Sequence, residues 1–123
     1  MSFDRLKISV GILLLLPLVA VTNRVWAQGI TLETEHELLA VLRSEADPAE
    51  KAVSCKKLAI VGSGAAAPEL AKLLADERLA SWARIALEAI PGSEVDEALR
   101  DAAGTLQGNL LVGVINSIGV RRD

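Results

Sequence analysis

Apolar positions in this chain fall into segments of about 10–13 residues, separated by Pro, Gly and Asp. Segments of that length suit helices better than strands. The pattern predicts helices over 35–44, 48–61, 66–75, 78–90, 94–103 and 107–118. Asp47-Pro48 marks a start, because Asp caps free amide groups and Pro fits the first helical position. Gly62, Gly92 and Gly119 mark stops. Ser93 opens a capping pattern with Asp96.

These helices repeat. Lys57-Leu58-Ala59-Ile60-Val61-Gly62 aligns with Ala86-Leu87-Glu88-Ala89-Ile90-Pro91, and both align with Val114-Ile115-Asn116-Ser117-Ile118-Gly119, at offsets of 29 and 28 residues. Leu70 and Leu73 match Leu99 and Ala102, again 29 apart. The first pair is less regular, with Leu39 and Leu42 in the equivalent role. A fixed period of this size means stacked helix pairs, none of which buries its apolar face alone. The expected fold is all-α: an α-solenoid of about three stacked antiparallel helix pairs, an armadillo-type superhelix. The pairs fall near 35–62, 65–91 and 93–119.

The three aligned segments resemble the HEAT repeat family in its short bacterial form, whose second helix ends in an Ala-Leu-Gly-x-Ile-Gly-like signature. Asp47 and Asp76 match the family's usual turn Asp, while the third pair departs with Gly104. The resemblance covers residues 35–119. It implies a scaffold for protein–protein contact, with the second helices lining a concave face. In the family, a charged turn like Arg121-Arg122-Asp123 commonly leads into a further repeat, so residues 120–123 read as a stub.

Ahead of the repeats stands a different pattern. Arg5 and Lys7 precede an apolar block from Ile8 to Val21, and Val25-Trp26-Ala27 puts small or medium residues at the positions a signal peptidase inspects. The block is shorter than the roughly 20 apolar residues a spanning helix needs, and Gly11 and Pro17 interrupt it. The expectation is a signal peptide over 1–27 cleaved after Ala27, a lead-in over 28–34, and a periplasmic or secreted protein that starts at Gln28 and leaves the membrane once cleaved. A signal peptide followed by such repeats looks like exported bacterial HEAT-repeat proteins.

Cleavage changes the charge. Residues 1–27 hold Arg5, Lys7, Arg24 and Asp4, so of the chain's 13 basic and 16 acidic residues 10 and 15 remain, a formal charge of −5. That balance disfavours nucleic acid and anionic membrane as partners. Phe3 and Trp26 also leave, which makes Trp82 the only aromatic, so a surface stacking bases or sugar rings loses support. Trp82 itself is expected in the core, aligned with Val53 and Leu110.

Readings as an enzyme find little support. Leu58-Ala59-Ile60-Val61 followed by Gly62-Ser63-Gly64-Ala65-Ala66-Ala67 fits a strand leading into a phosphate-cradling turn, and Glu88 falls near where a ribose-binding acid would lie. This is the alternative reading: a nucleotide-binding oxidoreductase fragment. Against it, the run is preceded by helix-patterned sequence, and Trp82, Ala86, Leu87 and Ile90 keep helical spacing where a second strand is needed. His36-Glu37 is a single His-Glu pair, whereas the iron site of one HEAT-repeat enzyme family, deoxyhypusine hydroxylase, needs several. Serine catalysis lacks a base other than His36, and Glu94, Asp96 and Glu97 answer to a helix dipole. Cys55 is alone and reads as a small filler residue. The expectation is a non-catalytic chain with no cofactor and no metal.

A helical wheel at 100° per residue puts Leu58 and Val61, then Trp82, Leu87 and Ile90, then Leu110, Ile115 and Ile118 on the buried side of the second helices. It leaves a stripe of Ala52, Cys55, Lys56 and Ala59; Ser81, Arg84, Ile85 and Glu88; Asn109, Val112, Gly113 and Asn116. Within it, Lys56, Ser81, Arg84, Glu88, Asn109 and Asn116 are the candidate contacts for a protein partner. Arg84 and Glu88 are four apart, which also suits an ion pair between themselves. The last helix is among the most apolar stretches, so Leu110, Leu111, Val112, Val114 and Ile115 form a candidate self-association end.

Overall fold

The computed structural model describes residues 34–122. The expected signal peptide, its expected cleavage point and the lead-in up to residue 33 lie outside the described residues, as does Asp123. Every regular element among the described residues is helical. Helix α1 spans residues 34–43 and buries Leu38, Leu39 and Leu42 on one face. Helix α2 is Pro48–Val61, with Pro48 in its first turn. Asp47 stands at its N-cap position but makes no side-chain capping bond, so the proline and not the carboxylate sets this boundary.

A 3-10 turn (Gly64–Ala66), a short helix α3 (Ala67–Lys72) and a second 3-10 turn (Leu73–Ala75) come next without a break. They replace the single helix expected over 66–75. Helices α4 (Ala80–Ala89), α5 (Ser93–Thr105) and α6 (Gly108–Arg122) complete the described chain. The expected stop at Gly119 does not occur, and α6 runs one turn further. Ser93 and Asp96 form no capping pair: Gly92 stands at the N-cap of α5 and makes no side-chain bond. Asp96 instead accepts a hydrogen bond from Arg121.

Packing has a regular order. α2 lies against α4, and α4 against α6; α3 lies against α5, and α5 against α6. The core between them is almost wholly aliphatic: Leu58, Leu70, Leu74, Leu87, Ile90, Val95, Leu99 and Val114 are all fully buried. Full burial of such a side chain is worth about 1.5–3 kcal/mol. Small residues set the spacing, with Ala66, Ala83 and Ala86 also fully buried. Polar ties bind α1 to the loop after α2 and to α3. Glu35 Oε1 accepts from the Ser63 amide at 2.7 Å and its hydroxyl at 2.8 Å, and Arg43 Nε donates to Glu69 at 3.0 Å.

Two expected core positions are displaced. Val53 is 51% exposed and Ile115 is 53% exposed. Trp82 is half-buried and packs against the core from its edge. The wheel reads one helix at a time, whereas burial depends on which sides of it receive neighbours. α4 has one on each side and α6 has α4 and α5, so each buries a different arc.

The Gly62-Ser63-Gly64 segment links α2 to the 3-10 turn, and Leu58 to Val61 is the last turn of α2, not a strand. Gly62 has a separate reason to be glycine. A Cβ there would stand 2.5 Å from the Leu58 carbonyl oxygen and 2.8 Å from Ile90 Cδ1, so the missing side chain lets the end of α4 approach the end of α2.

Candidate binding surface

The six candidate contact residues divide in two. Lys56, Ser81, Asn109 and Asn116 are exposed, while Arg84 and Glu88 are half-buried and already engaged. Arg84 Nη1 donates to the Gly113 carbonyl at 3.1 Å. Ser117 Oγ, fully buried, donates to Glu88 Oε1 at 2.6 Å and lies 3.2 Å from the Gly113 carbonyl. Among the described ion pairs none joins Arg84 to Glu88. Both reach across to α6 instead.

The absence of a side chain at Gly113 makes this possible. A Cβ there would lie 2.7 Å from Arg84 Cζ, so the guanidinium occupies the space a side chain would take. The same side of α2 carries Cys55, which is fully buried. Burial pushes its thiol up to about 11. The stripe therefore runs partly into the seams that α4 makes with α2 and α6.

What α2, α4 and α6 leave in solvent is more apolar than expected. Ile60 on α2 is 85% exposed, Ile85 on α4 is 47% exposed and Val112 on α6 is 56% exposed. Each has an exposed polar neighbour four residues away: Lys56, Ser81 and Asn116. Ile60 is the residue the sequence reading missed. Its position one turn after Lys56 was the available signal, obscured by its place in the repeated apolar signature.

The expected self-association residues also separate. Val112 and Ile115 are exposed, and Leu110 and Leu111 are half-buried. Val114, at 1% exposure, belongs to the core and cannot serve such a contact. Val120, 58% exposed, adds to the open face.

Arg121, expected in a turn leading away, folds back within the last turn of α6. Its Nη1 lies 2.5 Å from the Ile90 carbonyl, 2.9 Å from that of Leu87 and 3.4 Å from that of Glu88. Nη2 donates to the Gly92 carbonyl at 3.1 Å, and Nε to Asp96 Oδ1 at 2.6 Å. The last carbonyls of a helix lack partners within it, and a cation there also suits the helix dipole. Arg121 thus caps α4 and ties it to α5. The arginine's hydrogen bond holds the Asp96 carboxyl below the usual carboxylate range.

An open groove of about 930 Å³ runs between α3 and α5. Ala67, Ala71 and Ala75 lie along one wall and Ala98 and Ala102 along the other, with Glu94, Glu97 and Asp101 on the α5 side. Alanines at every fourth position were legible in the sequence, but small residues on helices read equally well as core packing.

His36 is exposed on α1. Among the described residues no three His, Cys, Asp or Glu side chains gather as a metal site would need, and no helix is long and apolar enough to cross a membrane. No protein-family model, curated protein or solved structure matches the chain.

Proposed function

We propose that residues 34–122 are a HEAT-like α-solenoid of three stacked helix pairs, and that the chain is an exported, non-catalytic scaffold that binds another protein. The observation that carries this reading is packing at a one-repeat offset. Arg84 to Gly113 and Glu88 to Ser117 each span 29 residues, one more than the 28-residue offset that aligns α4 with α6 in the sequence. Helices in corresponding places of successive repeats, α4 and α6, therefore touch within one residue of that register, as stacked repeats require. The partner surface is the outer face of the second helices, where Ile60, Ile85 and Val112 stand in solvent beside Lys56, Ser81 and Asn116. Large aliphatic side chains left in water on three successive helices suit a contact site. Export rests on the leader pattern, with Gln28 as the new amino terminus.

Capture from the exported fraction of the host tests the proposal. The immobilised chain is expected to retain a defined protein partner, and Ile85→Glu with Ser81→Glu to release it while the fold is kept. Retention of the same proteins by both chains, or of none by the parent, contradicts it.

The exposed face of α6 supports a second contact, with another copy of the chain. Leu111, Val112, Ile115 and Val120 form it, and residues 107–120 carry no charge. An uncharged contact of this kind keeps its strength in salt. Ile115→Lys is expected to abolish it in sedimentation experiments; unchanged association contradicts it.

A further inference from the structure

We propose that the groove between α3 and α5 receives the exposed face of α2 from a second copy of the chain. This contact shares Ile60 and Lys56 with the proposed partner surface and stands apart from the α6 contact. Alanines recur along both walls of the groove, which leaves room for bulky side chains of whatever fills it. Glu94, Glu97 and Asp101 stand along its α5 side, and none of the ion pairs among the described residues involves them. An occupant that fits brings large aliphatic side chains together with positive charge.

The face of α2 has that composition. Val53 is 51% exposed and Ile60 is 85% exposed, the largest exposure among the described large aliphatic residues. Lys56 and Lys57 lie between them, both exposed and outside the same ion pairs. The lengths match as well. Val53 and Ile60 are seven residues apart, as are Glu94 and Asp101, and seven residues of helix rise about 10 Å. Laid along the groove, the α2 face puts two aliphatic side chains between the alanine walls and two ammonium groups beside three carboxylates. The exceptions in sign, Glu50 on α2 and Lys72 on the α3 wall, are opposite to each other. None of the groove's lining residues belongs to α2, so donor face and groove are separate surfaces. The contact is then head-to-tail, and it grows into a ring or an open chain.

The test is sedimentation of protein purified from cells expressing the full chain, together with two charge-reversed variants. The mean mass of the parent should rise with concentration over about 10–200 µM, and the association should weaken at least ~tenfold between about 50 and 500 mM salt, because these charges lie at an exposed rim. In an Ile115→Lys background, which removes the α6 contact, Lys56→Glu with Lys57→Glu should be monomeric, and so should Glu97→Lys with Asp101→Lys. Mixing the two should restore association, since each reversed face then meets a reversed groove. Ile115→Lys should leave this salt-sensitive association in place, which separates it from the α6 contact. The proposal is overturned by a parent that stays monomeric throughout, by reversed variants that associate like the parent, or by folded variants whose mixture stays monomeric. A monomeric parent that binds an added cationic amphipathic peptide would make the occupant foreign, and likewise overturns it.

Discussion

Arg121→Ala is expected to destabilise the domain by about 2–4 kcal/mol. The side chain is only 11% exposed and serves four carbonyls and one carboxylate. A hydrogen bond involving a charged group is worth about 1.5–3 kcal/mol net. These bonds do not add, because a single group makes them all and the freed carbonyls regain water. A cation at a helix C-terminus contributes about 0.3–1 kcal/mol, and up to about 2 when partly buried. One strong bond plus the helix-end contribution gives the stated range. For a domain of this size each kcal/mol moves the melting temperature by about 4–8 °C, so the expected drop is about 8–32 °C. Urea and thermal unfolding followed by circular dichroism measure it. Arg122→Ala is the control: Arg122 is exposed, and its loss should stay within about 0.5 kcal/mol. An Arg121→Ala protein that unfolds like the parent, or like Arg122→Ala, would refute the capping role.

Three further outcomes rest on the same kind of contact. Gly113→Ala should cost about 1 kcal/mol in the parent by displacing the Arg84 guanidinium, yet be neutral or stabilising by up to about 1 kcal/mol in an Arg84→Ala background, where only helix propensity remains; a cost in both backgrounds would sink this account of Gly113. The Asp96 carboxyl is held below its unfolded value by Arg121, so its contribution is present above the ordinary carboxylate pKa and is lost as pH falls through the depressed one. The unfolding midpoint of the parent should therefore fall more steeply below about pH 4 than that of Asp96→Asn, and parallel pH profiles would contradict this. Cys55, buried and with its thiol pushed up to about 11, should resist alkylation in native protein near pH 8 and react on unfolding; rapid stoichiometric labelling of the native state would show the site to be open.

Helix content and approximate boundaries were legible in the sequence because they rest on local chemistry. Pro48 starts α2 where the pattern put it, and the ends of the predicted helices lie within a few residues of those observed. Features that depend on neighbours were less legible. Arg84 and Glu88 four apart suit a pair on one helix equally well as two arms reaching to the next, and only the approach of α6 at Gly113 decides. Arg121 looked like part of a polar turn because its acceptors, the carbonyls from Leu87 to Gly92, lie about 30 residues back and backbone groups carry no sequence signature. Ile115 and Val53 share the apolar character of true core positions, so composition could not show that α6 and α2 turn them outward. The α3–α5 groove escaped notice for a related reason: it is made by side chains that are small.

Stacking of equivalent helices at a one-repeat offset underlies the scaffold reading, and a double-mutant cycle between Glu88 and Ser117 measures it most directly. Glu88→Ala, Ser117→Ala and the double variant are compared by urea unfolding. The buried hydroxyl donating to the carboxylate at 2.6 Å predicts a coupling of about 1–3 kcal/mol. Single-variant effects that simply add, with no coupling, would mean that α4 and α6 do not meet in this register.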